Sequence, residues 1–249
     1  MKNETILKIE NLEKSYGKLK AVDGISFSVE AGETFGLLGP NGAGKTTTIN
    51  MLLGILEPTD GKIIMLGKNM AEHHAEVRCL INFAAVYAHL PSNLTVWQNL
   101  YIFGKLYEVK NLRSRIDTLM NEFDLKKFSA TKAGLLSSGE FSRLNLAKAI
   151  INEPCLLLLD EPTASLDPSI AQQIREMVMA YAKKNGAAVV WTSHNMREIE
   201  TVCNRVAFLS HGKILLTGDP RTLPAQQGKK DLEELFITVA REPLTLNEQ

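Results

Sequence analysis

At 249 residues, with 45% apolar and 22% charged side chains, the chain has the composition of a soluble globular protein able to bury a core without disulfides or a structural metal. Its 28 Lys and Arg residues equal its 28 Asp and Glu residues, which argues against a general nucleic-acid binder, so no nucleic-acid partner is expected. Cys79, Cys155 and Cys203 are widely spaced, with no CxxC pair; they indicate neither a disulfide framework nor a metal site and are expected to be small buried hydrophobes.

In chain order, residues 6–12 and 25–29 alternate apolar and polar side chains and predict antiparallel strands around a turn-rich segment containing Tyr16 and Gly17. Residues 34–38 form a short apolar run, followed by a glycine-rich loop and a helical pattern over 46–55. Turn chemistry at 57–61 precedes a strand over 62–66. Helical periodicity then takes over, with helices predicted at 99–107, 112–123 and 140–151. Strand and helix alternate again afterwards. Strands are predicted at 155–159, 187–192, 205–210 and 213–216, and helices at 168–185 and 196–202. The unbroken runs CLLLL and AAVVW suit parallel strands buried on both faces. The expected division is an α/β core with its β-subdomain (1–86 and 153–216), an inserted helical subdomain (87–152) and a short C-terminal tail (217–249). The N-terminus is too polar for a signal peptide, and no apolar run approaches the ~18–20 residues of a membrane span. Any membrane-spanning part is therefore expected on another polypeptide.

Residues 39–46 read GPNGAGKT and match the G-x-x-x-x-G-K-[ST] pattern in full, between a predicted strand and a predicted helix. Gly39, Gly42 and Gly44 let the backbone curl so that successive N–H groups converge on the β-phosphate. The helix that follows adds its positive dipole end, roughly half a charge. Lys45 is expected to reach the β- and γ-phosphates, and the Thr46 hydroxyl to ligate Mg²⁺. The strand at 155–159 ends in Asp160 and Glu161, which places two acids beyond a carboxyl edge. Asp160 suits the metal, and Glu161 suits the base that orients the attacking water.

Taken together and in order, GPNGAGKTT, LSSGE, CLLLLDEPT, ASLD and TSH make the chain resemble the nucleotide-binding subunits of ABC transporters, over about residues 6–216. The resemblance implies a RecA-like P-loop NTPase core with an N-terminal antiparallel β-subdomain and an inserted α-helical subdomain. It implies ATP and Mg²⁺ as cofactors, and a loop from Gly39, Pro40, Asn41, Gly42, Ala43 and Gly44 to Lys45, Thr46 and Thr47 around the phosphates. It places Tyr16 against the adenine, and Ser137, Ser138, Gly139 and Glu140 over the γ-phosphate bound by a second cassette. Asp167 would cross that interface, and His194 would contact the γ-phosphate and the attacking water. The implied partners are a second cassette and a multi-pass transmembrane subunit, with this chain peripheral on the cytoplasmic face of the membrane. The stretch KKDLEELF at 229–236 resembles the tail of cassettes that serve exporters.

Three positions depart from the family pattern. Val86 stands where a glutamine usually contacts Mg²⁺ and the membrane subunit, with Tyr87 and His89 as neighbours that could reach in instead. Water is then expected to complete the metal shell, and packing to couple the cassette to its partner. Ser138 replaces the first glycine of the signature, and Glu140 replaces its glutamine. The alternatives are a soluble ABC ATPase without a membrane partner and a degenerate cassette that binds ATP without hydrolysing it. A kinase or GTPase is disfavoured by LSSGE, by TSH and by the absence of N-K-x-D. The adjacent His73 and His74 point to different sides of a helix and read as a solvated face.

Overall fold

The computed structural model describes residues 4–85 and 90–241; Val86, Tyr87 and His89 lie outside the described residues. In chain order the elements begin with β1 (Thr5–Tyr16), β2 (Leu19–Glu30), β3 (Thr34–Leu38), α1 (Lys45–Leu52), β4 (Asp60–Met65), β5 (Lys68–Asn69), α2 (His74–Arg78) and β6 (Ile81–Ala85). They continue with α3 (Val96–Leu106), α4 (Leu112–Glu122), α5 (Ser138–Ala149), β7 (Leu156–Asp160), α6 (Pro168–Asn185) and β8 (Ala188–Thr192). The chain then forms α7 (Met196–Val202), β9 (Arg205–Ser210), β10 (Lys213–Gly218), α8 (Leu223–Gln226) and α9 (Leu232–Arg241).

Two sheets result. An antiparallel one has the order β2-β1-β4-β5, with Ile9 opposite Phe27 on one side and Ile63 on the other. The second has the order β10-β9-β3-β8-β7-β6, parallel from β9 to β6, with β10 antiparallel at its edge. The period of two along its strands divides the core between its two faces. Phe35, Leu37, Leu156, Leu158 and Val190 face the antiparallel sheet and α1. Leu38, Leu157, Leu159, Val189 and Trp191 face the helices. Both faces are buried, so these strands carry no polar alternation.

The helices begin where caps allow. Thr95 forms a capping box with Gln98, so α3 starts ahead of the predicted 99. Ser137 does the same with Glu140, moving the start of α5 ahead of the predicted 140. Helix α1 stops at Leu52, short of the predicted 55, and Ile55 is exposed. The tail carries helix α9, whose Leu232, Leu235 and Val239 are buried in the helix-side core, with Phe236 packed on Phe208. Leu90 and Val96 are buried in that core too. His73 and His74 are both exposed, as expected of a solvated face. One expectation is corrected: Cys203 is buried, but Cys155 is only half-buried, and Cys79 is exposed because it caps the carboxyl end of the one-turn helix α2, where Val77 supplies the buried contact.

Side chains stitch α5 to the edge strand β6. Lys148 Nζ donates to Phe83 O (2.6 Å), Asn145 Nδ2 donates to Ala85 O (2.7 Å), and Asn82 Nδ2 donates to Lys148 O (3.3 Å). Burial pulls the Lys148 ammonium from its ordinary 10.5 down to about 8. Between those values the unfolded chain holds a proton that the folded chain does not, so stability rises with pH across that window. Replacement of Lys148 by Met is expected to remove this rise. Urea unfolding of variant and wild type at pH 8 and pH 10 should differ in their pH increment by about 2 kcal/mol.

Candidate active site

The carboxyl ends of β3, β8 and β7, three neighbouring parallel strands, carry the predicted loop, the switch residues and the two acids. The loop 39–44 turns out of β3 through three glycines with positive φ: Gly39 (154°), Gly42 (81°) and Gly44 (107°). A Cβ on Gly39 would lie 2.1 Å from Leu209 O, and one on Gly44 2.4 Å from Ala21 O. Those two glycines let the loop rest on β9 and β2. Around Gly42 there is open space, with no atom within 4 Å of its ideal Cβ. Ala43 is buried and its carbonyl accepts the Gly212 N–H (3.1 Å), while Asn41 is exposed and Pro40 half-buried. Helix α1 starts at Lys45 with no side-chain cap on its first N–H groups, which leaves them for an anion. Thr46 is exposed on its first turn and Thr47 is half-buried.

Lys45 Nζ donates to Gly39 O (2.5 Å) and Pro40 O (3.1 Å), folding back over the loop. Burial holds its ammonium below the usual lysine range, and the negative charges of Glu161 and then Asp160 oppose that shift. Both acids therefore sit within electrostatic reach of the loop lysine. Asp160 lies opposite Thr192 in the β7–β8 register and accepts the Thr192 hydroxyl (2.6 Å). The same hydroxyl oxygen accepts the Glu161 N–H (3.1 Å). Glu161 takes φ 54°, a left-handed conformation that costs about 1–2 kcal/mol for a residue with a β-carbon. Thr192 thus orients both acids, a role the sequence does not announce.

Glu161 Oε2 accepts the His194 N–H (3.4 Å), and its Oε1 lies 3.0 Å from His194 Nε2. That second approach lacks hydrogen-bond alignment, so the half-buried carboxylate keeps Oε1 without a donor among the described residues. Burial is the largest influence on this carboxyl and raises it above its ordinary 4.5; His194 opposes the shift and Asp160 adds to it. An acceptor oxygen without a partner, beside an anion-ready helix start and a lysine, fits a site for a phosphate, a water and a divalent metal.

The remaining predicted residues lie apart from this group. No hydrogen bond joins residues 137–140 to the loop 39–46 among the described residues. Ser137 caps α5 by accepting the Glu140 N–H (3.4 Å), and Glu140 accepts the Ser137 N–H (2.8 Å). Glutamate at this position therefore keeps the capping box. Ser138 is exposed and helical, without positive φ, so its β-carbon strains nothing locally. Gly139 is buried against Ile170, whose Cγ2 would lie 3.1 Å from a Cβ there. Asp167 caps α6 by accepting the Ser169 and Ile170 N–H groups (both 3.1 Å). Tyr16 ends β1, is 52% exposed and has Lys14 Nζ 5.5 Å from its ring centroid.

A family model described as ABC transporter matches residues 22–164. The chain belongs to the ABC transporter family. This cassette is 35% identical over 235 residues to the Nod factor export ATP-binding protein I of Paraburkholderia xenovorans (strain LB400), covering 94% of this chain and 77% of that protein. It is also 35% identical over 241 residues to the probable multidrug ABC transporter ATP-binding protein YbhF of Escherichia coli (strain K12), covering 94% of this chain and 41% of that protein. A solved structure of an ATP binding subunit of an ABC transporter superimposes with TM-score 0.84 at 26% identity, over 95% of this chain and 100% of that one. A dimeric cassette bound to ADP and Pi shares the fold, with TM-score 0.76 at 22% identity. As a member of that family the cassette is an ATPase, with ATP and Mg²⁺ as its cofactors. No helix among the described residues is long and apolar enough to cross a membrane.

Proposed function

We propose that this cassette hydrolyses ATP to drive export through a separate multi-pass membrane subunit, with each ATP held between two cassettes. The observation that carries the hydrolytic part is the convergence of Lys45, Asp160, Glu161 and His194 at adjoining strand ends, with Glu161 Oε1 3.0 Å from His194 Nε2 and accepting no hydrogen bond among the described residues. The N–H groups from Asn41 to Thr47, together with that of Gly39 and the Lys45 ammonium, would bind the phosphates, and Thr46 and Asp160 would hold Mg²⁺. That ion, when bound, offsets phosphate charge. Glu161 orients the attacking water and takes its proton as the new O–P bond forms at the γ-phosphorus and the bond to ADP breaks. His194, adjoining Glu161, faces the γ-phosphate.

The start of α5 supports the two-cassette arrangement. Ser137 accepts an N–H and still has its O–H to donate, and the helix end is an anion site that its own P-loop does not use. Ser137, Ser138, Gly139 and Glu140 therefore close over the partner's nucleotide, Asp167 meets the partner, and Tyr16, exposed at the end of β1, stacks on adenine. Export is favoured by the names of the relatives, one of Nod factor export and one of multidrug transport. The cassette then sits peripherally on the cytoplasmic face of the membrane. We also propose the division into a core (1–86 and 153–216), a helical subdomain (87–152) and a tail (217–249), with α9 of the tail anchored in the core.

Affinity capture from a membrane fraction tests the partner. A multi-pass protein retained in the presence of ATP supports the transporter, whereas recovery of the cassette alone favours a soluble ATPase.

A further inference from the structure

Glu198 lies on α7 and is only 3% exposed, yet it takes no part in the site described above. Its Oε1 accepts the Thr163 hydroxyl (2.6 Å) and Arg175 Nη1 (3.4 Å), and its Oε2 accepts the Ser193 hydroxyl (2.6 Å). Thr163 follows Glu161 by two residues, and Ser193 immediately precedes His194. Ser193 Oγ also accepts the Asn195 N–H (3.1 Å), and Asn195 Oδ1 accepts the N–H of Glu198 itself (3.2 Å). One buried carboxylate therefore ties the segment after the base to the segment that carries the switch histidine. Arg175 brings in α6, the helix capped by Asp167.

A buried carboxylate is costly unless its oxygens are fully paired, and apolar packing would stabilise the same place as well. Two of the three donors here belong to segments that flank Glu161 and His194, so pairing Glu198 also sets the spacing between those two side chains.

We propose that Glu198 is a positioning residue for ATP hydrolysis, holding Glu161 and His194 in register through Thr163 and Ser193. The inference rests on the roles proposed above for those two residues. Misplacement of a reacting group by about 1 Å costs on the order of 100-fold in rate. Loss of the clamp should therefore act on turnover and leave ATP binding at the P-loop intact.

The test compares Glu198→Ala, Glu198→Gln, Thr163→Val and Glu161→Gln by steady-state phosphate release in the full chain, with thermal melts alongside. Glu198→Ala is expected to lower kcat by about 10–100-fold, with KM for ATP unchanged within about threefold. Glu198→Gln, which keeps an acceptor and the shape, should recover most of that loss. If the Ala variant fails to fold, Gln and Thr163→Val carry the test, with Thr163→Val expected to lower kcat but not KM. On the Glu161→Gln background, Glu198→Ala should cost much less than it does alone, since most of its effect passes through that base. A folded Glu198→Ala enzyme with wild-type kcat overturns the inference, as does a loss confined to KM or a loss additive with Glu161→Gln. If Glu161→Gln itself retained full activity, the assignment of the base would fall instead, and the two failures are thereby distinguished.

Discussion

Replacement of Glu161 by Gln is expected to lower phosphate release from Mg·ATP by about 10²–10⁴-fold, with nucleotide binding retained. The amide keeps the size of the side chain and can still accept the His194 N–H through one oxygen. It cannot take a proton from water. The loss corresponds to about 3–5 kcal/mol of transition-state stabilisation. Wild-type kcat/KM should fall on the acid side as the Glu161 carboxyl protonates. Because burial raises that carboxyl, the limb should lie above 4.5 and be absent from the residual activity of the variant. Turnover in the variant within a few-fold of wild type would move the base elsewhere in the site.

The second large effect is expected at the loop glycines, and it should divide them. An alanine Cβ at Gly39 would meet Leu209 O at 2.1 Å, inside van der Waals contact with a backbone atom of β9. Gly39→Ala should therefore cost about 3–5 kcal/mol of folding stability, a large share of what a typical domain has. Gly44→Ala, facing Ala21 O at 2.4 Å, should behave similarly. Gly42 has no neighbour to strike, so Gly42→Ala should cost only the left-handed backbone, about 1–2 kcal/mol. Gly42 lies in the loop proposed to bind phosphate, so the main effect of the substitution should be on ATP affinity. Denaturant melts and nucleotide titration separate the two behaviours. Equal melts for Gly39→Ala and Gly42→Ala would contradict the account of the loop resting on β9.

Parts of the site were legible because the chemistry is local. The loop 39–46 puts glycines, lysine and threonine at fixed offsets, and Asp160 and Glu161 follow directly on a buried strand. Helix α6 and strand β9 fall where periodicity predicts them, since proline at the start of α6 and glycine at its end punctuate the first. The starts of α3 and α5 moved because capping by Thr95 and Ser137 outweighed the apolar period. Helix α2 is too short, at one turn, to show a period. Thr192, Ser193, Thr163 and Glu198 gave no signal as a set. Thr192 donates to Asp160, and Thr163 and Ser193 donate to Glu198, each at 2.6 Å, and the Thr192–Asp160 and Thr163–Glu198 pairs join segments far apart in the chain.

The sequence by itself determined the family and the cofactor, because the ordered motifs that mark them are residue types at short spacings, and it nominated the residues proposed to hold phosphate. Tertiary structure decided which residues act on one another. The β7–β8 register sets Thr192 against Asp160, and strand order places Glu161 and His194 beside the loop lysine. Burial then moves the Glu161, Lys45 and Lys148 proton equilibria in the directions described. Spacing along the chain does not encode these effects, since each depends on distance and solvent exclusion between segments that the fold alone brings together.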